Sequence, residues 1–387
     1  MTYGRWTYTL LALIAVATLA VSSASANVTL DRDYRMGDDG GEGAVPGGNV
    51  TTTFDSAGMP GQGQLIDLAA ENTPNYLTVT GRPDGVGGLG IEFVAAEFEY
   101  LHGGHLGYPP TSLSSIEEGG TLDYSGLTDR GFQFWVRPAS NAPSVIVTDT
   151  LAHAVRINAA GNYAMTYAGF TIDSGVAATP GVWKHIEMVS APNAFGDARL
   201  YIDGVARAVR VSPGYPAVRN QLVVGANTGG DELTFTGGTA DFFSGVVDDL
   251  KMFVFGSTNG TPVINYGSFV FDPDNDFAAF SLSGVPGDVN NVGGFTAADV
   301  TAFIAGWRSE RLVNGRRVGD IISHGQGDLN FDGITDVRDL AIIQALLPPA
   351  GLPLITPAQL SVPEPATAGL LLAALGLVAR ASRKSRR

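Results

Sequence analysis

The densest run of oxygen donors in the chain is Asp328-Leu329-Asn330-Phe331-Asp332-Gly333-Ile334-Thr335-Asp336-Val337-Arg338-Asp339. Side-chain oxygens stand at positions 1, 3 and 5, a glycine at 6 allows a sharp turn, and a carboxylate returns at 12. A hard divalent cation needs several oxygens from one flexible loop, and this spacing supplies them. Calcium is therefore expected here. Asp328, Asn330, Asp332 and Asp339 would ligate directly, Ile334 would offer its carbonyl, and Asp336 would act through water. Forty residues upstream the pattern recurs from Asp288 to Asp299. There Val292 occupies the fifth position, where an oxygen is needed. Asp288, Asn290, the Gly294 carbonyl, Thr296 and Asp299 remain, so this first site is expected to be weak or empty. The plainer alternative for both runs is a pair of Asp/Gly turns without metal.

Each run is followed by an apolar helical stretch, Val300–Trp307 and Leu340–Leu347. Two such loop-helix units, Asp at position 12, and the openings Gly287-Asp288-Val289-Asn290 and Gly327-Asp328-Leu329-Asn330 resemble a type I dockerin over residues 287–348. The resemblance implies two EF-hand-like calcium loops and a cohesin-like or other protein partner on the helical face. The stretch Arg308–Gln326 carries no motif beyond a turn suggested at Arg311–Arg316.

From Asn27 to about Gly284 short alternating apolar segments recur between Gly, Pro, Asn and Asp, the pattern of an all-β sandwich. Phe132, Phe134 and Val136 share one face of a predicted strand, and Leu200-Tyr201-Ile202-Asp203-Gly204 ends in a hairpin signal. Four motifs occur in order: Phe134-Trp135-Val136-Arg137-Pro138, Trp183-Lys184-His185-Ile186, Leu200-Tyr201-Ile202-Asp203-Gly204-Val205, and Gly245-Val246-Val247-Asp248-Asp249-Leu250. Their order resembles the laminin-G-like, concanavalin-type jelly roll of secreted bacterial proteins. The expected fold is thus mainly β: a jelly-roll sandwich over residues 27–255, a closing strand and linker over 256–286, then the small α-helical dockerin-like domain. In the resembling fold an acidic pair at the closing strand helps to hold a structural calcium. Strand alternation would turn only one member inward, which makes Asp248 a further candidate ligand.

Catalysis finds little support. Glycosidases on related jelly rolls need two carboxylates on one strand face. Glu97 and Glu99 share a face of a strand predicted over Ile91–Leu101, and read more simply as its solvated side. His102 and His105 lie in a glycine turn, and His185 is expected to pack beside Trp183. There is no cysteine among the 387 residues, which excludes thiolate metal sites, cysteine nucleophiles and disulfides. A net charge of −15 argues against a nucleic-acid partner.

Both ends read as addresses. Arg5, the apolar run Leu10–Val21 and Ala24-Ser25-Ala26 fit a signal peptide over residues 1–26 cleaved after Ala26. A Pro-rich linker over 349–361 is expected to hold the tail away from the folded part. Pro363-Glu364-Pro365, the apolar run Ala366–Ala379 and a basic end closely resemble the PEP-CTERM sorting signal over residues 362–387. An apolar helix of about 21 Å is short against a hydrocarbon core of about 30 Å, which favours a processed tail over an anchor. The resemblance implies an exosortase-type sorting protease and passing membrane contact through this helix. Together these features predict a non-catalytic, exported, calcium-binding protein of the cell envelope, surface or extracellular matrix. Its sandwich would bind glycan or protein, and its dockerin-like unit would dock. The alternative is an accessory component, less readily a hydrolase, of extracellular polysaccharide breakdown.

Overall fold

The computed structural model describes residues 28–38, 43–54, 56, 65–67, 73–105, 129–150, 153–167, 169–190, 198–210, 221–227, 241–255, 285 and 287–360. The strands form two antiparallel sheets. The strands are β1 (Val28–Tyr34), β2 (Thr52–Thr53), β3 (Leu65–Asp67), β4 (Asn75–Val79), β5 (Gly88–Phe93), β6 (Leu101–His105), β7 (Asp129–Pro138), β8 (Ser144–Thr150) and β9 (His153–Ile157). They continue with β10 (Asn162–Tyr167), β11 (Phe170–Ala177), β12 (Lys184–Ser190), β13 (Ala198–Ile202), β14 (Val205–Arg210), β15 (Gln221–Val224) and β16 (Gly245–Phe255). The first sheet runs β14-β13-β12-β7-β16-β5-β4 with β1 also on β16, and the second runs β11-β10-β9-β8-β15-β6-β3-β2.

The core lies between the sheets, as the alternation in the sequence requires. Phe132, Phe134 and Val136 of β7 face it together with Ile146, Val155, Tyr163 and Met165 from the other sheet. Full burial of a side chain such as Phe134 contributes about 1.5–3 kcal/mol. The β13–β14 hairpin turns through Asp203 and Gly204, both at positive φ (51° and 72°), the backbone that an Asp-Gly pair tolerates.

The strand expected over Ile91–Leu101 is two strands in different sheets. β5 stops at Phe93, a short 3-10 turn spans Ala95–Glu97, and Phe98 takes φ 61° before β6 begins. The chain crosses between the sheets here, so no single strand face carries both Glu97 and Glu99. Glu99 is fully buried, not solvated, and its carboxylate accepts the Val94 N–H at 2.6 Å.

Past residue 285 the structure becomes helical: α1 (Ala297–Ala305), α2 (Ile321–His324), α3 (Val337–Leu346) and α4 (Pro357–Leu360), with a small hairpin of β17 (Leu312–Val313) and β18 (Arg316–Arg317). Val289, Phe303, Ile343, Leu347 and Ile355 form its core. α1 and α3 each begin with a capping box, Thr296 with Asp299 and Asp336 with Asp339. The Pro-rich stretch does not extend away: Ile355 is buried in this core and its carbonyl accepts from Gln344 Nε2 at 2.6 Å. Its apolar residues Leu352, Ile355 and Leu360 outweigh the stiffening effect of its prolines. Among the described residues no helix is long and apolar enough to cross a membrane.

Candidate functional site

The two acidic loops share left-handed backbone at their fourth and sixth positions. Asn291 and Phe331 have φ of 57° and 56°, and Gly293 and Gly333 have 78° and 82°. In the second loop the Asp332 N–H donates to Asp328 Oδ1 and Asn330 Oδ1 at 3.0 and 2.9 Å. Asp339 Oδ1 accepts from Leu329 and Asn330, and its Oδ2 accepts from Asp336. The first loop repeats this with Val292 N–H on Asp288 and Asn290, and with Asp299 accepting from Asn290 and Thr296. The backbone is therefore wrapped around its acids in both loops; they diverge at the seventh position, where Gly294 takes φ 80°, and the amide reaching the first aspartate's Oδ2 is Gly294 in one and Gly333 in the other. Val292 is 71% exposed and offers no oxygen.

Asp328 and Asp339 are fully buried. Burial pushes Asp328 up to about 7, with Asp339 and Asp332 adding repulsion, and pushes Asp339 up to about 6. The donors are all hard oxygens, and the clustered negative charge is what a divalent cation would relieve, so the residues suit calcium chemically. Asp328, Asn330, Asp332, Asp339 and the Ile334 carbonyl would hold the ion. The described residues contain no group of three His, Cys, Asp or Glu already gathered closely enough to do so without the loop tightening. Arg338 is the present counter-charge, with Nη1 3.2 Å from Asp332 Oδ2.

Asp248 has a different counter-ion from the calcium expected of it. Arg82 Nη1 donates to Asp248 and Asp249 at 2.6 Å each, and Arg82 Nε donates to Asp84 at 2.9 Å. A bulge in β16 between Asp248 and Lys251, with Asp249 at φ 46°, breaks the alternation and turns both carboxylates onto one guanidinium. Burial opposes the charge on Arg82, but Asp249, Asp248 and Asp84 together raise its pKa. Burial raises Asp248 to about 7 against the pull of Arg82. The guanidinium carbon sits 5.4 Å from the centre of the Trp135 ring, so the cluster is roofed by an aromatic face. His185 also packs on Trp135, at 5.2 Å and edge-on, while Trp183 donates to the Thr80 carbonyl.

Two further places gather aromatic or acidic side chains. At one end of the sandwich Phe98 is 55% exposed and edge-on to Phe242 at 5.3 Å, with Tyr100 6.3 Å from Phe242. Beside them burial lifts Glu99 to about 7, helped by Glu97 and Glu92. On the outer face of the first sheet Asp33, Lys251, Gln133, Glu187 and Tyr201 stand directly opposite one another across five strands. All five are buried, and neither carboxyl oxygen of Glu187 has a hydrogen-bond partner.

Sequence spacing located the loops but missed Arg82, Phe98 and Glu187, because each acquires its role from residues far away in the chain. An arginine among Gly, Pro and Asp in Gly81-Arg82-Pro83-Asp84 was the available signal for the first. Ala26, Pro363, Glu364, Pro365, the side chains of His102 and His105, and the acidic turn Asp272–Asp276 lie outside the described residues.

Residues 118–254 match the Concanavalin A-like lectin/glucanases superfamily, laminin-G type, and residues 361–387 match the PEP-CTERM protein-sorting motif. No curated protein matches the chain. Among solved structures, domain 4 of AbnA, a GH43 extracellular arabinanase from Geobacillus stearothermophilus in complex with arabinotriose, is 14% identical over 60% of this chain and 95% of its own, with a TM-score of 0.38. A Trypanosoma rangeli sialidase is 12% identical over 58% of this chain and 30% of its own, at 0.34. A SAP-like pentraxin from Limulus polyphemus is 14% identical over 33% of this chain and 64% of its own, at 0.27. Thus a concanavalin-like β-sandwich is joined, in one chain, to a C-terminal signal for export to the cell envelope or surface.

Proposed function

We propose that this is a non-catalytic, calcium-braced protein of the cell envelope, surface or extracellular matrix, whose sandwich binds glycan and whose C-terminal repeat, of dockerin type, docks a protein partner. The observation that carries the reading is the matched pair of acid-wrapped loops, one with a full oxygen set and one without. When bound, calcium would supply a fixed double positive charge that holds the loop's acids together.

Phe98, Phe242 and Tyr100 support the glycan reading. The exposed Phe98 ring, with the half-buried Tyr100 and Phe242 beside it, can stack on the apolar face of a sugar, and Glu97 can accept its hydroxyls. The carboxylates brought close together elsewhere are engaged: Asp248 and Asp249 hold Arg82, and Glu99 holds the Val94 amide. Such acids are poorly placed for turnover.

The mature protein should be incubated with a panel of polysaccharides, with and without calcium. Binding lost in Phe98→Ala without hydrolysis is expected. Hydrolysis of any member overturns the non-catalytic reading, and binding unchanged by Phe98→Ala moves the glycan site elsewhere. For the tail, replacing Pro363-Glu364-Pro365 should leave the precursor uncleaved in a host with the sorting protease; normal release from that variant contradicts the processing.

A further inference from the structure

The residues between the two loops, which carry no recognisable motif, form a strip with partners on both sides. On one side it meets the second loop. A Cβ at Gly319 would collide with the Phe331 carbonyl, and one at Gly333 would lie 2.6 Å from the Val318 nitrogen, so the two backbones touch. The Arg311 N–H also donates to the Gly333 carbonyl at 2.8 Å. On the other side the strip meets the sandwich. Arg199 Nη2 donates to the Arg317 carbonyl at 3.3 Å, Tyr201 Oη to the Gly319 carbonyl at 3.4 Å, and the Ile321 N–H to the Gly204 carbonyl at 3.3 Å.

Asp320 ties the two sides together. Its Oδ1 accepts the Ile322 and Ser323 N–H groups that start α2, while its Oδ2 accepts from Ala206 N–H of β14 and from Arg311 Nε. At the same first turn the Ser323 carbonyl accepts the Asp328 N–H at 3.1 Å, fixing the first residue of the loop. Asp320 is 2% exposed, so this carboxylate is inside the contact. An unbroken series of packed backbone and hydrogen bonds therefore runs from the loop, through residues 317–323, to the β13–β14 hairpin.

We infer that the β13–β14 edge of the sandwich is a docking surface for the chain's own C-terminal repeat, and that a cation in the second loop tightens this latch. The inference rests on the calcium reading of that loop. Its consequence is that a separate protein partner must use helix surface away from the strip, such as that around Val337 or around Ile342, which are 68% and 37% exposed.

Coupling is reciprocal, so loosening the latch must weaken calcium binding by the factor by which calcium strengthens the latch. In the full mature chain the double variant Arg199→Lys, Tyr201→Phe weakens one hydrogen bond, removes the other and keeps both side-chain stems. Titration with calcium should show the same number of ions bound, with Kd raised about three- to tenfold. Hydrogen exchange gives a second reading on the unaltered protein. The Ala206 and Ile321 amides, whose hydrogen bonds cross the contact, should exchange more slowly with calcium than with chelator. Unchanged Kd in the double variant, together with calcium-independent exchange at these amides, overturns the latch and leaves the calcium site standing. No calcium binding by the unaltered chain overturns the site itself.

Discussion

Glu187→Gln tests the outer polar row most directly. Glu187 faces Gln133 on β7 and Tyr201 on β13, is 1% exposed, and neither carboxyl oxygen has a hydrogen-bond partner. Burial raises its pKa well above the ordinary 4.5, so the folded state keeps a proton that the unfolded chain releases. A raised carboxyl pKa lowers stability as pH rises from the unfolded value towards the folded one. Each pH unit over which the proton is kept costs about 1.4 kcal/mol. Glutamine has nearly the same shape and needs no proton. Glu187→Gln should therefore equal the parent near pH 4 and exceed it increasingly as pH rises above the ordinary carboxyl range, by up to about 1.4 kcal/mol per pH unit, each kcal/mol being worth about 2–4 °C in Tm. Thermal unfolding across this pH range, followed by tryptophan fluorescence, measures it. A gain that does not grow with pH, or a loss at pH 6.5, would refute the placement of Glu187 as a buried, uncompensated acid.

Three other outcomes follow from the same geometry. Arg82→Met leaves Asp84, Asp248 and Asp249 without their cation and should cost about 3–5 kcal/mol, as breaking a buried ion pair does; calcium should not restore the loss, and restoration would return Asp248 to a metal site. Glu99 is raised to about 7, so the parent should lose stability as pH rises from 4.5 to 7 and then level off. Glu99→Gln should flatten that stretch in chemical denaturation, and an unaltered pH profile would count against its burial. Val292→Asp supplies the missing oxygen where the Val292 N–H already donates to Asp288 and Asn290 as Asp332 N–H does to Asp328 and Asn330, and calcium stoichiometry should rise from one to two.

What could be read from the sequence was what repeats locally. Period-two alternation placed Phe132, Phe134 and Val136 on the core face, and Asp203-Gly204 named its own turn. The loops were legible because their oxygen donors lie within twelve residues of one another. What could not be read depends on distance and on broken periodicity. The partner of Asp248 is 166 residues away, and the bulge that turns Asp249 towards it cancels the alternation on which the ligand assignment rested. The same reasoning failed at Glu99, where the chain changes sheets inside an apparently continuous strand. The Pro-rich stretch was misread because composition records its stiffness but not the apolar pocket that Leu352, Ile355 and Leu360 occupy. The strip 317–323 escaped notice because its partners are backbone groups, which no motif records.

The acidity of the chain also has a local meaning. Its buried acids include those answered by an internal cation, as at Arg82, those buried with no hydrogen-bond partner on the carboxyl group, as at Glu187, and those gathered where an external cation would serve, as at Asp328 and Asp339. Direct calorimetric titration of the mature protein with calcium separates them. The account predicts one ion bound per chain, abolished by Asp332→Ala and accompanied by a rise in the melting temperature of the C-terminal repeat. Absence of binding, or binding that survives Asp332→Ala unchanged, would contradict it.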